Sequence, residues 1–333
     1  MAFEESREDS HRDRCGIVLA GGEGRRLQPF IYRLKGVNLP KQYVSFVGRR
    51  SMLEMTFERA EKLIFPDRLF TVVNRDHLQS PEVKWQLSSR PQGTVVVQPE
   101  NKETGPGLLL PLIYLYKRYP ESTVAVFPSD HFIVEEDLLM SHVELALRLV
   151  EWNPSQLILL GVEPSKAETE YGYILPGQRV KNLNPLSVYE VSQFIEKPKR
   201  TSARELMLNG GLWNTMIMVF KTATLLDLVR TVSPRLFRLF NLIRQAIGTT
   251  GENDVLEQAY RNMQPVNFSQ GPLEVFSVHR PSPLWVVPVR GVHWSDWGSE
   301  TRIMSDLRRL GTWDNLNGIL AEAIDKGRGL ASD

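Results

Sequence analysis

A glycine-rich turn directly follows the first apolar run of this 333-residue chain. The run at residues 15–18 leads into Leu-Ala-Gly-Gly-Glu-Gly-Arg-Arg-Leu at 19–27, and Pro-Lys-Gln-Tyr follows at 40–43. Three glycines in four positions let a chain that leaves a buried strand turn sharply and present backbone N–H groups to an anion. Arg26 and Lys41 add positive charge nearby. We therefore predict a site for a phosphate-bearing ligand, and the alternative is a solvated basic turn.

Two well-known phosphate-binding motifs are excluded by the residues themselves. A Walker loop ends in Gly-Lys-Ser/Thr, whereas Gly24 is followed by two arginines. The dinucleotide fingerprint accepts Gly22 and Gly24 but needs a third glycine where Leu27 stands. The loop must therefore bind its anion in another way.

Composition indicates a soluble enzyme. With 42% hydrophobic and 24% charged residues, the chain has ample material for one extended domain or two domains. A net charge of +1 gives no reason to expect nucleic acid or a membrane as a partner. The single cysteine, Cys15, cannot form a disulfide within the chain, and residues 1–14 lack an apolar signal core. We expect a cytoplasmic location.

Short apolar strands alternate with helical patterns in the first half, which predicts a largely parallel sheet covered by helices. The predicted strands are 15–20, 68–73, 94–98, 123–127, 157–162, 171–175, 188–195, 214–220 and 284–289. The predicted helices are 51–64, 81–89, 107–119, 135–152, several between 222 and 260, 299–310 and 313–326. Ser51 and Glu54 form a capping-box pattern at the start of the first of these helices. We expect a Rossmann-like α/β fold, with a mixed, mostly parallel sheet flanked by helices.

Polar segments stand where ligands collect in such folds, at the carboxyl ends of the strands. Gln-Pro-Glu-Asn-Lys-Glu-Thr-Gly-Pro follows the third strand at 98–106, and Phe-Pro-Ser-Asp-His ends the fourth at 127–131. The carboxylate of Asp130 suits Mg²⁺, which prefers hard oxygen ligands. Alternatively, Thr104 and Asp130 could merely cap the helices that follow them. No spacing of histidines or cysteines supports a zinc site.

The glycine loop and Pro-Lys-Gln resemble the signature Gly-Gly-x-Gly-x-Arg-Leu-x-Pro with Pro-Lys-Gln of sugar nucleotidyltransferases, in particular the mannose-1-phosphate guanylyltransferases. The resemblance implies a nucleotidyltransferase fold similar to GT-A. It implies that Arg26 and the loop bind the nucleoside triphosphate, and that Lys41 acts at the reacting α-phosphate. The loop glycines concerned are Gly21, Gly22 and Gly24.

Further matches extend the nucleotide side. The family reads Gln-Pro-Glu-Asn-x-x-Thr-x-Pro after the third strand, which implies that Gln98 and the backbone near Gly105 and Gly107 meet the base. Its Pro-x-Asp-His segment resembles residues 128–131 and gives Asp130 a role as a metal ligand. His131 is left open between a hydrogen-bonding neighbour of the metal site and a catalyst.

The second half resembles the sugar side of the same family. Glu-Thr-Glu-Tyr-Gly-Tyr-Ile at 168–174 is similar to Glu-Thr-Gly-Tyr-Gly-Tyr-Ile, in which the backbone at Gly172 meets sugar hydroxyls, but Glu170 replaces the first glycine. Phe-Ile-Glu-Lys-Pro implies that Glu196 binds sugar hydroxyls and Lys197 the sugar phosphate. The alternative for these two residues is an exposed charged pair.

The last two matches include the main departure. In Leu-Trp-Asn, Asn214 would contact the sugar, but Thr-Met follows where the family has Ser-Gly, so Met216 either points into the core or narrows the pocket. Trp-Ser-Asp-Trp-Gly-Ser at 294–299 resembles Trp-x-Asp-x-Gly-Ser/Thr, which makes Asp296 the second metal carboxylate. Alternatively, this segment only shapes a turn and caps a helix.

The resemblance implies one reaction. A nucleotidyl group passes from GTP to mannose 1-phosphate by Mg²⁺-assisted in-line displacement, which gives GDP-mannose and pyrophosphate. The alternatives are another base or hexose 1-phosphate, an idle regulatory relative, and a nucleotide-binding module without catalysis. A glycosyltransferase of similar topology would ordinarily carry Asp-x-Asp, which this sequence lacks. Oligomeric state is left open, with a homodimer as one expectation.

The resemblance also divides the chain. We expect a disordered tail at 1–14, a catalytic domain at 15–298 and a helical tail at 299–333. The nucleotide half covers about 15–165 and the sugar-phosphate half about 166–298 of this domain. Asp130 and Asp296 should converge in the fold. We expect replacement of either by Asn to leave or raise the melting temperature by relieving an unpaired buried charge. Lys41 and Arg26 are expected in a surface loop.

Overall fold

The computed structural model describes residues 13–183 and 186–311. The predicted helix at 313–326 and nearly all of the predicted N-terminal tail lie outside these residues. The described strands are β1 (Arg14–Ala20), β2 (Leu69–Asn74), β3 (Val95–Gln98), β4 (Thr123–Pro128), β5 (Phe132–Ile133), β6 (Leu157–Val162), β7 (Tyr173–Arg179), β8 (Tyr189–Ile195), β9 (Leu212–Lys221), β10 (Leu284–Val289) and β11 (Trp294–Ser295).

The described helices lie between and after these strands. They are α1 (Gln28–Lys35), α2 (Met52–Glu61), α3 (Pro81–Leu87), α4 (Thr104–Arg118), α5 (Glu136–Trp152), α6 (Arg200–Leu208), α7 (Thr222–Val232), α8 (Pro234–Ala246), α9 (Glu252–Asn262), α10 (Glu274–Val278) and α11 (Glu300–Arg309). None of the helices within the described ranges is long and apolar enough to cross a membrane.

Nine strands form one mixed sheet in the order β3-β2-β1-β4-β9-β6-β10-β8-β7, with β7 also paired to β9. The pairs within β3-β2-β1-β4 are parallel, as is β6 with β10. β9 runs antiparallel to both β4 and β6 and so joins the two halves of the sheet. The predicted mixed sheet flanked by helices is confirmed. Among the described strands, four of its nine pairings are parallel, three of them in the first half, because the second half adds antiparallel strands.

The sheet separates two apolar cores. In β1, Val18 and Ala20 belong to one core and Cys15 and Ile17 to the other, because successive side chains of a strand point to opposite faces. Helices α2 and α5 cover the first face, and α4, α7, α8 and α9 cover the second. Burial on both faces explains why β1 reads as a continuous apolar run.

Helix starts follow the local signals in part. The capping box predicted at the start of α2 is confirmed: Ser51 Oγ accepts from Glu54 N at 3.1 Å, and Glu54 Oε2 accepts from Ser51 N at 2.7 Å. Helix α4 begins three residues before the predicted start, and Thr104 does not cap it. Its Oγ1 instead accepts from Phe268 N at 2.8 Å. Asp130 is not a cap either, since α5 starts after Glu135.

A two-stranded sheet positions the loop that follows β4. Strands β5 and β11 pair antiparallel, with Phe132 opposite Ser295 and Ile133 opposite Trp294. In an antiparallel pair, each residue before Phe132 lies opposite a residue after Ser295. The segments that contain Asp130 and Asp296 therefore run side by side, although no local sequence signal joins them.

Candidate active site

The glycine loop after β1 is shaped by the Pro-Lys-Gln segment. Gly24 has a φ of 59°, a left-handed conformation that favours glycine. Gln42 Nε2 donates to the carbonyl oxygens of Ala20 at 2.9 Å and Gly22 at 2.8 Å, and so holds both ends of the turn. No local sequence signal indicates this role for Gln42, although Gln42 belongs to the Pro-Lys-Gln motif.

The predicted base-binding residue Gln98 lies against this loop. A Cβ on Gly21 would stand 2.6 Å from Gln98 Nε2, so the absence of a side chain at Gly21 lets the amide approach. Gln98 Oε1 is buried and accepts no hydrogen bond from the described residues. A buried acceptor without a donor typically costs about 1–3 kcal/mol, and a bound ligand that donates a hydrogen bond would remove that cost.

Gly105 makes a close contact with a neighbouring segment. Its N–H donates to Val266 O at 2.8 Å, and a Cβ on Gly105 would approach that oxygen to 2.7 Å. The lack of a side chain is therefore explained by packing between the first turn of α4 and the segment before α10. Its own N–H is already bonded within the protein.

Lys41 contacts both of the predicted metal-binding aspartates. Its ammonium is 3.1 Å from Asp130 Oδ2 and donates to the main-chain carbonyl of Asp296. The Lys41 side chain is only 9% exposed. The expectation that Lys41 sits in a surface loop is therefore wrong, because the segment after β11 packs over it. One ammonium thus contacts the two aspartates from different halves of the chain.

The Asp296 carboxylate is well hydrogen-bonded. Its Oδ1 accepts from Tyr171 Oη at 2.9 Å, Gly298 N at 2.9 Å and Arg302 Nη1 at 2.8 Å. Burial opposes ionisation, but the charges of Lys41 and Arg302 and the Gly298 hydrogen bond hold the pKa of Asp296 below its ordinary value. The expectation of an unpaired buried charge at Asp296 is therefore wrong.

The segment Asp-Trp-Gly-Ser delivers Arg302 to this carboxylate. A Cβ on Gly298 would stand 2.6 Å from Asp296 Oδ2 and 3.1 Å from Arg302 Nη1, so only glycine leaves room for the pair. Ser299 caps α11, since its Oγ accepts from Arg302 N at 3.4 Å. The cap that the sequence suggested is present, and it coexists with the aspartate site. Arg302 was missed because no local rule shows where its side chain points.

Arg302 also ties the Asp296 segment to the sugar half. Its Nη2 is 3.0 Å from Glu168 Oε2, and its guanidinium stacks 4.6 Å from the Tyr171 ring centre. Although burial opposes it, the Arg302 charge lowers the pKa of Glu168. Glu168 Oε1 in turn accepts from the backbone N–H groups of Thr169 at 3.0 Å and Glu170 at 3.4 Å. This glutamate therefore shapes the turn that carries Glu170.

His131 is a neutral neighbour of Asp130. Burial lowers the pKa of His131 to about 4. The Trp294 indole N–H lies 3.2 Å from His131 Nδ1, and because an indole can only donate, Nδ1 is the acceptor. The ring proton is therefore on Nε2, which stands 3.7 Å from Asp130 Oδ1. This arrangement favours a polar neighbour of the carboxylate over a proton-transfer catalyst at neutral pH.

The predicted sugar residues meet at the ends of β7, β8 and β9. A Cβ on Gly172 would stand 2.6 Å from Glu196 Oε2 and 3.4 Å from Asn214 Cβ, and Asn214 N donates to Gly172 O at 2.8 Å. Lys197 Nζ lies 3.5 Å from Glu196 Oε1. Burial raises the pKa of Glu196, and the Lys197 charge only partly offsets this. The pair is thus not a simple exposed one, because the Glu196 side chain is only 12% exposed.

Met216 keeps the backbone conformation that a glycine would favour. Its φ is 55°, and its N–H donates to Asn214 Oδ1 at 3.1 Å. Its Sδ accepts from Ser269 Oγ at 3.0 Å, and its side chain packs against the second core. Of the two orientations left open by the sequence, the one toward the core is observed.

Arg26 and Glu170 form an ion pair between the two halves of the chain. The adjacent Arg25 pairs with Glu23 inside the glycine loop. Both cations of this loop thus have carboxylate partners. Glu170, which replaces a glycine of the resembled motif, is the partner of the arginine predicted to bind the triphosphate.

The residues present fit a magnesium ion. Asp130 and Asp296 supply hard carboxylate oxygens, and the hydrogen bonds to Asp296 all reach Oδ1, which leaves Oδ2 for another ligand. Among the described residues, no three or more His, Cys, Asp or Glu side chains are arranged to hold a metal ion by themselves. Such a donor set suits an ion that takes one or two protein carboxylates and completes its shell with phosphate oxygens and water.

The comparisons with known proteins identify the family and the fold. A family model described as nucleotidyl transferase matches residues 15–301, so the chain belongs to the nucleotidyl transferase family. Over 291 residues it is 26% identical to mannose-1-phosphate guanylyltransferase 2 of Escherichia coli O157:H7, which covers 85% of this chain and 58% of that protein. Over 215 residues it is 32% identical to the alginate biosynthesis protein AlgA of Pseudomonas putida, covering 63% and 42%.

The chain therefore spans about half the length of these curated relatives. Among solved structures, it resembles a Thermus thermophilus protein described as mannose-1-phosphate geranyltransferase. The TM-score is 0.71 at 26% identity, over 88% of this chain and 79% of that one. Sequence and structure thus agree on the family and on the fold.

Proposed function

We propose that this protein is a mannose-1-phosphate guanylyltransferase that uses Mg²⁺. An oxygen of mannose 1-phosphate attacks the α-phosphorus of GTP, the bond to the β-phosphate breaks, and pyrophosphate leaves with the electron pair. The products are GDP-mannose and pyrophosphate. Family membership supports nucleotidyl transfer, and the names of the curated relatives support the choice of guanosine and mannose.

The observation that carries the proposal is the position of Lys41. Its buried ammonium contacts the Asp130 carboxylate and the Asp296 carbonyl, next to the glycine loop. The reaction brings two polyanions together and builds charge on the leaving pyrophosphate, so fixed cations are the main catalytic requirement. Lys41 would stabilise charge on the reacting α-phosphate. Arg26 and the loop N–H groups would hold the triphosphate.

Asp130 and Asp296 would hold the Mg²⁺ ion, with Tyr171 and Arg302 fixing the second carboxylate. When bound, the ion would neutralise and orient the phosphate oxygens of both substrates. His131 would remain neutral beside Asp130. The carboxylates of Asp130 and Asp296 would attract the cation to the place where the two anionic substrates meet.

The remaining residues would select the base and the sugar. The unpaired Oε1 of Gln98 suits a base that presents an N–H donor, and guanine does so. On the sugar side, Glu196, Asn214 and the Gly172 backbone would meet hydroxyl groups, while Lys197 would bind the sugar phosphate. The Glu196 side chain is only 12% exposed, and a carboxylate accepts hydrogen bonds, so a ligand hydroxyl that donates suits it.

Pyrophosphate release from the purified protein tests the proposal. Four nucleoside triphosphates are each combined with mannose 1-phosphate, glucose 1-phosphate and other hexose 1-phosphates in the presence of Mg²⁺. We expect GTP with mannose 1-phosphate to give the highest kcat/KM. Preference for another pair would contradict the proposed substrates but not the proposed class of reaction. Nucleotide binding without pyrophosphate release from any pair would contradict catalysis itself.

A further inference from the structure

The ion pair between Arg26 and Glu170 joins the nucleotide loop to the sugar half. The two residues are 144 positions apart, and their side chains are 66% and 44% exposed. Arg26 is the arginine to which we assign the triphosphate. The Glu170 carboxylate therefore occupies a hydrogen-bonding position that a phosphate oxygen would need.

Glu170 projects from a turn that is held in place. Its backbone N–H and that of Thr169 donate to Glu168 Oε1, and Glu168 Oε2 pairs with Arg302 at 3.0 Å. Arg302 also contacts Asp296. The carboxylate that meets Arg26 is thus presented by a turn anchored in the site, which limits how far Glu170 withdraws when a ligand binds.

The glycine loop contains a natural comparison. Glu23 and Arg25 also form an ion pair, but they are two positions apart and lie within the loop itself. Removing the charge of Glu23 changes the net charge of the protein by the same amount as removing that of Glu170. Removing the charge of Glu23 leaves the Arg26–Glu170 ion pair in place. A difference in ligand Kd between the Glu170 and Glu23 substitutions therefore reports on the Arg26–Glu170 pair.

We propose that Glu170 limits the affinity of the site for the triphosphate by competing for Arg26, an inference that rests on the proposed function. A carboxylate and a phosphate oxygen accept from the same guanidinium, so binding must displace Glu170 or share the arginine with it. A displaced Glu170 stays near the polyanion and repels it. An exposed pair is a weak competitor, and we expect its removal to tighten binding about threefold to tenfold.

Calorimetric titration tests this without turnover. GTP with Mg²⁺, and separately inorganic tripolyphosphate, are titrated into wild-type protein, Glu170→Gln and Glu23→Gln. We expect Glu170→Gln to lower the Kd for both ligands by about threefold to tenfold, and Glu23→Gln to change it by less than about twofold. The gain should shrink in about 0.3 M NaCl, because salt screens exposed charges. All three proteins should share one melting temperature.

A double-mutant cycle gives the decisive outcome. In an Arg26→Gln background, Glu170→Gln should lower the Kd by a smaller factor than in the wild-type background, because only the repulsion between Glu170 and the phosphates remains. An equal factor in the two backgrounds would overturn the proposal. An unchanged or raised Kd in Glu170→Gln alone would overturn the proposal, and a raised value would mean that Glu170 orients Arg26 for binding. Wild-type protein that binds neither ligand would overturn the proposed function and this inference together.

Discussion

Replacement of Asp296 by Asn should destabilise the ligand-free protein. The carboxylate is mostly buried, and its Oδ1 accepts three hydrogen bonds, one of them from the Arg302 guanidinium at 2.8 Å. Hydrogen bonds to charged groups contribute about 1.5–3 kcal/mol, and Asn retains an acceptor oxygen, so we expect a loss of about 2 kcal/mol. With an unfolding entropy of about 2.1 cal/mol/K per residue over roughly 300 residues, the melting temperature should fall by about 3 °C.

The pH dependence of this loss follows from the lowered pKa of Asp296. Burial opposes ionisation, but Lys41 and Arg302 hold the folded-state pKa below the ordinary value of 3.8. The carboxylate therefore stabilises the fold above that ordinary value, and its contribution is lost as the pH falls through the lower, folded-state pKa. The difference in melting temperature between Asp296→Asn and wild type should be constant from about pH 5 to 8 and shrink below about pH 4.

Differential scanning calorimetry in the presence of a chelator measures the effect. Glu300→Gln is the control, because the Arg33–Glu300 pair at the start of α11 is exposed and should contribute less than about 0.5 kcal/mol. Combining Asp296→Asn with Arg302→Met should give a coupling of about 1 kcal/mol or more. A melting temperature of Asp296→Asn at or above wild type at pH 7, or purely additive effects, would refute this reasoning.

Three further results are expected. Lys41→Met should lower kcat by about 100-fold or more in the pyrophosphate-release assay, because one cation at the reacting phosphate is lost; near-normal turnover would exclude that role. Gly298→Ala should lower the melting temperature, since its Cβ would stand 2.6 Å from the Asp296 carboxylate. Gly22→Ala should leave the melting temperature unchanged, because its Cβ would have no atom within 4 Å, and should raise the KM for GTP, because Gly22 belongs to the loop proposed to hold the triphosphate. Because burial lowers the pKa of His131 to about 4, nuclear magnetic resonance should detect no protonation of its ring between pH 5 and 8.

The sequence predicted most elements of the fold because their signals are local. Alternating apolar runs and helical spacing predicted the principal strands to within a few residues, and the Ser51–Glu54 pattern predicted the start of α2. Short pieces were missed. Helix α1 has only eight residues, with three of them buried, so its apolar spacing is weak, and β5 and β11 have two residues each.

The strand-end rule also placed polar groups at one edge of the sheet, but not their contacts. Lys41, Asp130 and Asp296 were each singled out from motifs, and the structure joins them through the Lys41 ammonium. Gln42 and Arg302 were overlooked. Their roles depend on which carbonyl or carboxylate lies opposite each side chain, and that is a property of distant segments.

Residue order alone thus determined the strand-and-helix pattern, the glycine turn after β1 and the set of charged residues available for chemistry, because these depend on neighbours a few positions away. The tertiary structure decided which charges meet. The pairing of β5 with β11 sets Asp130 beside Asp296, and the turn held by Glu168 sets Glu170 against Arg26. Such contacts between distant residues arise only when the sheet and its helices pack together, since burial and the approach of opposite charges act through space.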